Sequence, residues 1–222
     1  MKTIGIIGAL KEEIEFFRKD LVRQNPFLPK FGDIEFFDGF LKDKPVVVVK
    51  SGIGKVNAAM VASVLLRSYD VGLVINSGVA GAFPPLDVGD LVVASGLIQY
   101  DVDVTGIQGF EQGQVPGFPR IFPTAKYNFQ GEPKRGIFGS GDSFVCTDSK
   151  IEYIKEHFAE VSVVDMEGAA IAQVCHVFSV PFVAVRCISD VVGSSSPVSF
   201  AEFLPVAAEK SASFVKSFLQ TL

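Results

Sequence analysis

The chain has 222 residues, is 48% hydrophobic and 20% charged, and carries a net charge of −5 with two His, three Cys, 21 Gly, 21 Phe and no Trp. That length suffices to bury roughly 70–75% of the unfolded surface, and a mean hydropathy of +0.37 excludes a disordered chain. The acidic balance, with no run of Lys or Arg, argues against nucleic acid as a partner, because a phosphate backbone needs a clustered basic surface.

Taken in chain order, short β-branched runs alternate with amphipathic stretches. The first strand is expected over Thr3–Gly8; Lys11, Glu12 and Glu13 follow the apolar Ile4–Leu10 at once and no small-residue cleavage site appears, so it reads as a buried strand and not a leader peptide. A helix over Lys11–Leu21 is followed by strands at Ile34–Phe37 and Pro45–Lys50. Val46–Val49 is apolar on consecutive residues, which predicts a strand covered on both faces, as is Phe182–Val185. Next come a helix over Lys55–Ser68 and strands over Gly72–Asn76 and Asp90–Leu97, then a Gly-, Pro- and Gln-rich stretch, Ile107–Arg135, with the look of a long functional loop. Strand Gly136–Ser140, helix Lys150–Glu160, strand Ser162–Asp165, helix Glu167–Phe178, strand Phe182–Ser189 and helix Ser199–Leu222 complete the series. Gly168–Val185 carries no formal charge, but Gln173, His176 and Pro181 interrupt it, so it reads as a core helix and a strand, not a membrane span.

Alternating strands and helices predict a three-layer α/β/α sandwich. The expected strand ends carry Gly-rich turns, Ser51-Gly52-Ile53-Gly54 and Ser77-Gly78-Val79-Ala80-Gly81 among them, and ligands bind at such carboxyl ends in open α/β sheets.

Several chemistries lack their residues. His157 lies in a charged helix and His176 in an apolar one, so no histidine stands at a strand end to serve a Ser–His or Cys–His machine. Gly5-Ile6-Ile7-Gly8 lacks the third glycine of a dinucleotide fingerprint, and Ser51-Gly52-Ile53-Gly54-Lys55 is half of a phosphate-binding loop. Two histidines and three scattered cysteines offer no metal-site spacing. Cys146, Cys175 and Cys187 read as reduced core thiols of a cytoplasmic protein.

What does stand at the strand ends is carboxylate: Glu12 and Glu13 after the first strand, Asp165 and Glu167 around Met166, and Asp190 after Cys187-Ile188-Ser189. Any one of them could be a helix N-terminal charge. Three sets on one sheet edge suggest a site. Two carboxyl groups flanking a sugar can cleave a glycosidic bond, one protonating the leaving group and the other activating water. With a purine as leaving group, N7 is the useful proton acceptor, and the acid must enter the site protonated. Read alone, Met166 and Phe144 are core fillers; Arg186, the one charge in an apolar strand, demands a buried carboxylate.

The segments Ile4–Glu13 (IGIIGALKEE), Ser51–Val56 (SGIGKV), Asn76–Gly81 (NSGVAG), Val88–Val92 (VGDLV), Asp101–Thr105 (DVDVT), Ser140–Phe144 (SGDSF), Val164–Ala169 (VDMEGA), Arg186–Asp190 (RCISD) and Ser199–Leu204 (SFAEFL) follow one another over almost the whole chain. In that order they resemble the 5′-methylthioadenosine/S-adenosylhomocysteine nucleosidases of the purine nucleoside phosphorylase superfamily. The resemblance implies one nucleosidase domain over residues 1–222, built as an α/β/α sandwich around a mixed, partly barrel-like twisted sheet. It implies Glu13 as the base that activates water and Asp190 as the acid for N7, with Ser189 holding its carboxyl. By the same resemblance Glu167 grips the ribose hydroxyls, Met166 lies under the sugar and Arg186 supports Glu167. Phe144 stacks on the adenine, the backbone of Val145 reads its edge, and Gly81 closes the base pocket. Leu10, Ile53 and Phe200 line the 5′-thio pocket. No cofactor or metal is implied, and Val104 and Ile107 are expected to cross to a partner in a homodimer.

Within the superfamily, a carboxylate where the nucleophile should sit favours water over phosphate. A protonated Asp190 can donate to N7 while its second oxygen accepts from a 6-amino group, which favours adenine. The 5′ substituent stays open among methylthio, homocysteinyl and the larger group of aminofutalosine or futalosine, from an alternative menaquinone route. Two departures stand out: Ala125–Lys134 is shorter than the family's usual helical segment and contains Pro133, and Gly106, Ile107 and Gln108 replace bulkier residues. Ser194-Ser195-Ser196 reads as a solvated loop near Asp190. A nucleoside-binding protein without turnover and, more remotely, a dinucleotide oxidoreductase are the readings from other classes.

Overall fold

The computed structural model describes residues 2–23, 30–32, 34–193 and 196–222. Ser194 and Ser195 of the expected serine loop lie outside them. Ten strands and five helices follow in the order β1 (Thr3–Gly8), α1 (Lys11–Arg18), β2 (Lys30–Phe31), β3 (Ile34–Leu41), β4 (Lys44–Lys50), α2 (Lys55–Ser68), β5 (Val71–Ala82), β6 (Leu91–Gln99), β7 (Phe122–Pro123), β8 (Lys134–Ser140), α3 (Asp148–His157), β9 (Val161–Asp165), α4 (Gly168–Phe178), β10 (Phe182–Val191) and α5 (Ser196–Leu219) among the described residues.

Two long strands organise the sheet. β5 runs parallel to β1 and to β10, and β1 continues the sheet through β4 to β3. At its far end β5 pairs antiparallel with β9, while β10 pairs antiparallel with β6. β6, β8 and β9 are parallel neighbours, so β5–β10–β6–β8–β9 closes on itself as a barrel-like ring. Closure leaves the ring strands without free edges, the liability of an open sheet.

Helices cover both faces, because the apolar runs point both ways. In β4, Val47 and Val49 face a core shared with Ala58, Val61 and Leu65 of α2 and Ile171 and Cys175 of α4. Val46 and Val48 face the opposite core, with Ile14 and Phe17 of α1 and Val215 and Phe218 of α5. The expectation that consecutive valines mark a doubly covered strand therefore holds. A third cluster, with Ile151, Ile154 and Phe158, packs α3 on the ring. Among the described residues no helix is long and apolar enough to cross a membrane.

The structure departs from the sequence reading at several points of the fold. Ser77–Gly81 is not a turn but the second half of β5. Its small side chains let the strand pass from the open sheet into the ring. Likewise β10 runs past Ser189 to Val191, placing Asp190 inside the strand. The stretch expected to be a loop contains β7, whose Phe122 is fully buried. Finally, Cys146 is exposed; only Cys175 and Cys187 are buried thiols, with burial pushing them up to about 12 and about 11. The Pro133 segment forms no helix. Instead Ala125 N–H donates to the Phe182 carbonyl, and the Phe129 ring lies 4.6 Å from that of Phe218 on α5.

Because Phe122 joins the core from a two-residue strand, Phe122→Ala is expected to cost about 3–5 kcal/mol, as for other buried aromatics. Urea unfolding checks this; a loss within error of zero would show that β7 is peripheral.

Candidate active site

A cavity of about 430 Å³ opens where the long strands enter the ring. β5 supplies Val79, Ala80 and Gly81 to its wall, β10 supplies Asp190, and the start of α1 supplies Ala9, Leu10 and Glu13. The β9–α4 junction adds Asp165, Met166 and Glu167; the segment after β8 adds Ser143, Phe144 and Val145; Ile53, Val164 and Phe200 complete the lining. Of the dispersed carboxylates, Glu13, Asp165, Glu167 and Asp190 thus meet around one space, whereas Glu12 is exposed and lies off it.

Glu13 is held by backbone. It is the third residue of α1 and folds back so that Oε2 accepts from Ala9 N–H at 2.6 Å and Leu10 N–H at 2.9 Å, while Oε1 accepts from Val79 N–H at 2.9 Å. This is the glutamate half of a capping box, to which the hydrocarbon of Leu10 contributes no counterpart. Glu13 is only 5% exposed. Burial pushes its pKa above the usual carboxylate value, against the opposing pull of Arg186 and of the three N–H donors. Gly78 is required beside it, since a Cβ there would collide with Oε1.

Asp190 is aimed by a break in register. Ile188 pairs with Ala80 and Asp190 with Gly81, so Ser189 is the extra residue of a β-bulge, a device that re-aims the next side chain. Ser189 Oγ donates to Asp190 Oδ1 at 2.9 Å. Opposite, a Cβ on Gly81 would stand 3.0 Å from Asp190 Oδ2, tighter than ordinary contact.

Glu167 caps α4 at the cavity wall and accepts from Gly54 N–H at 2.8 Å. Its pKa is pushed up to about 8, first by burial and then by the negative Asp165, with Gly54 N–H and Arg186 opposing. Arg186 does not pair with Glu167, contrary to the sequence reading. Its Nη2 donates to Asp165 Oδ2 at 2.6 Å and Asn76 Oδ1 at 2.5 Å. Asp165 ends β9, which β5 separates from β10, and its carboxylate reaches Arg186, whereas Glu167 lies beyond Met166 and turns toward the loop before α2.

A family model described as the Phosphorylase superfamily matches residues 3–220. A 5′-methylthioadenosine/S-adenosylhomocysteine nucleosidase of Marinomonas sp. is 41% identical, with 99% of each chain covered. The chain belongs to this nucleosidase family. Its fold matches the Neisseria meningitidis enzyme in complex with methylthio-immucillin-A at a TM-score of 0.93 and 38% identity, with both chains covered completely. The Colwellia psychrerythraea enzyme in complex with adenine matches at 0.93 and 34% identity, covering 100% of this chain and 96% of that one.

Ten of the twelve site residues inferred from the family resemblance line the cavity. Arg186 and Ser189 do not; both lie behind the wall, 2% and 0% exposed, and touch the cavity only through Asp165 and Asp190. Val104 and Ile107 also lie off the wall, and Ile107 is 57% exposed. Sequence reasoning missed Asp165 and Asn76 as partners of Arg186, although both stand within the quoted motifs. The backbone donors at Ala9, Val79 and Gly54 had no side-chain signal at all.

A carboxyl whose folded pKa is raised adds stability below its unfolded value that is lost as pH climbs through the folded one. Glu167 therefore costs the ligand-free protein stability between about pH 4.5 and about pH 8. Glu167→Gln keeps an acceptor for Gly54 N–H and removes the charge. It is expected to raise Tm at pH 8 by about 2–4 °C per kcal/mol recovered and to flatten the decline with pH, while weakening nucleoside binding. An unchanged pH slope in thermal melts would contradict the placement.

Proposed function

We propose that the chain, acting over residues 1–222 as one nucleosidase domain, hydrolyses the N-glycosidic bond of 5′-methylthioadenosine and S-adenosylhomocysteine. The observation carrying this reading is the convergence of Glu13, Glu167 and Asp190 on one nucleoside-sized cavity. Glu13 takes a proton from water, which attacks C1′ as the bond to N9 breaks. Asp190 gives its proton to N7, so the bonding electrons leave with neutral adenine. Glu167 receives the ribose hydroxyls, Met166 lies beneath the sugar, and Phe144 and Val145 face the base. Support for a sugar–base ligand comes from the mixed lining, apolar at Leu10, Val79 and Phe200 and acidic at Glu13, Asp165, Glu167 and Asp190.

Ile53, on the wall, is 53% exposed, so the expected 5′ side opens to solvent and has room for tails larger than methylthio. Aminofutalosine and futalosine are for that reason the second reading of substrate. Release of adenine from methylthioadenosine, adenosylhomocysteine and aminofutalosine, measured side by side, ranks them; binding without release from any would favour a nucleoside-binding protein instead. Asp190→Asn and Glu13→Gln are each expected to lower the rate by at least about 10²-fold, with nucleoside binding retained in Asp190→Asn. Near-normal turnover in either variant contradicts the two-carboxyl mechanism.

The same reading includes a homodimer with a cytoplasmic location. On α2 and α4, Val56, Val177 and Phe178 are 77%, 59% and 36% exposed, around a hollow of about 490 Å³. Lys55 Nζ, 2.5 Å from Asp101 Oδ1, brings the segment of Val104 and Ile107 to this face. A second copy covering it would let those residues reach the neighbouring 5′ pocket. Val56→Glu is expected to shift sedimentation to the monomer and to lower turnover; a dimer that persists with full activity rejects the interface.

A further inference from the structure

Four buried carboxylates, Glu13, Asp165, Glu167 and Asp190, line the cavity with one buried guanidinium behind it, and the reaction described above uses three of those acids. Asp165 is the fourth. Its side chain is 2% exposed and its carboxylate is fully engaged: Oδ1 accepts from Ser140 Oγ and Gly168 N–H, and Oδ2 accepts from Arg186 Nη2. Arg186, also 2% exposed, donates from Nη1 to the carbonyls of Asn76 and Val185 and from Nη2 to Asn76 Oδ1 as well. No hydrogen bond runs from Arg186 to Glu13 or Glu167, yet its charge bears on both.

We propose that Asp165 is a positioning residue for glycosidic cleavage: by holding Arg186 in a closed ion pair, it prevents that cation from cancelling the negative field of Glu13 and Glu167 at the sugar. This inference rests on the hydrolytic reading. The nucleoside enters uncharged at the sugar, and positive charge grows at C1′ and the ring oxygen only as the bond to N9 lengthens. A field aimed at charge that develops in the transition state accelerates the step without tightening ground-state binding. Arg186 unpaired would oppose that charge. Paired with Asp165, its net field at the sugar is reduced, and its bonds to Asn76 tie β10 to β5.

The test is a comparison of two ligands on wild type and Asp165→Asn. One is a 5′-methylthio mimic with a protonated pyrrolidine in place of the ribose. The other is uncharged 5′-methylthio-7-deazaadenosine, which has no N7 to protonate. Asp165→Asn is expected to lower the ratio of cation to neutral affinity by about ten- to a hundredfold, the size of one unit charge acting over several ångströms in a partly buried site. kcat should fall by a similar factor, with KM within about threefold. A merely structural role would weaken both ligands alike, and an unchanged ratio overturns the proposal. Asp165→Asn/Arg186→Met removes both charges and should return the ratio to within about threefold of wild type. If Asp165→Asn does not fold, the double variant decides alone: a ratio lowered tenfold or more rejects the proposal. Absence of adenine release by the wild-type protein would instead overturn the hydrolytic reading itself.

Discussion

Burying charge without water is the constraint on which the site depends. An isolated carboxylate inside a protein costs several kcal/mol and tends to take up a proton. Here Glu13, Asp165, Glu167 and Asp190 are all buried within one wall, against the single guanidinium of Arg186. The chain meets that cost mainly with backbone: three N–H groups on Glu13, one on Glu167 and one on Asp165. Such donors are fixed by the strands and helix ends that carry them, so they need no rearrangement as charge moves during a reaction.

Pre-set donors require close backbone, and close backbone requires small residues. Gly78 leaves room for Glu13, Gly81 faces Asp190, and Ala80 pairs with Ile188 where the bulge begins. The second half of β5 is thus both a structural strand and the floor of the site. Its glycines weaken a strand taken alone, and the pairing with β10 and β9 compensates. The same residues explain why the cavity lies at the junction of open sheet and ring, where α1, the β9–α4 junction and β10 bring Glu13, Asp165, Glu167 and Asp190 around β5.

Stability and chemistry pull in opposite directions at Glu167. Its raised pKa records repulsion from Asp165 and Glu13 that the ligand-free protein must carry. The N-terminus of α2, with the Gly54 N–H donor, is itself tied down: Lys55 N–H donates to Asp142, and Asp142 N–H to Asp101. The cavity-lining segment at Gly54 and Glu167 is therefore linked to the exposed loop of Val104 and Ile107 through a few polar contacts.

The sequence by itself determined the layered α/β architecture, because hydrophobic runs with no polar alternation, such as Val46–Val49, admit only a doubly covered strand. It also determined which acids could meet, because Glu13, Glu167 and Asp190 each stand in a recognisable segment. It misread Ser77–Gly81 and Asp190 as lying beyond their strands, since glycine and small residues signal turns locally and only pairing with distant strands reveals otherwise. Phe122 was hidden for a similar reason: two residues are too short to show a period. Tertiary structure alone decided the partner of Arg186. Spacing along the chain places Asp165 and Glu167 two residues apart, but the end of a strand and the start of a helix send their carboxylates in different directions, one onto the guanidinium and the other onto the N–H of Gly54.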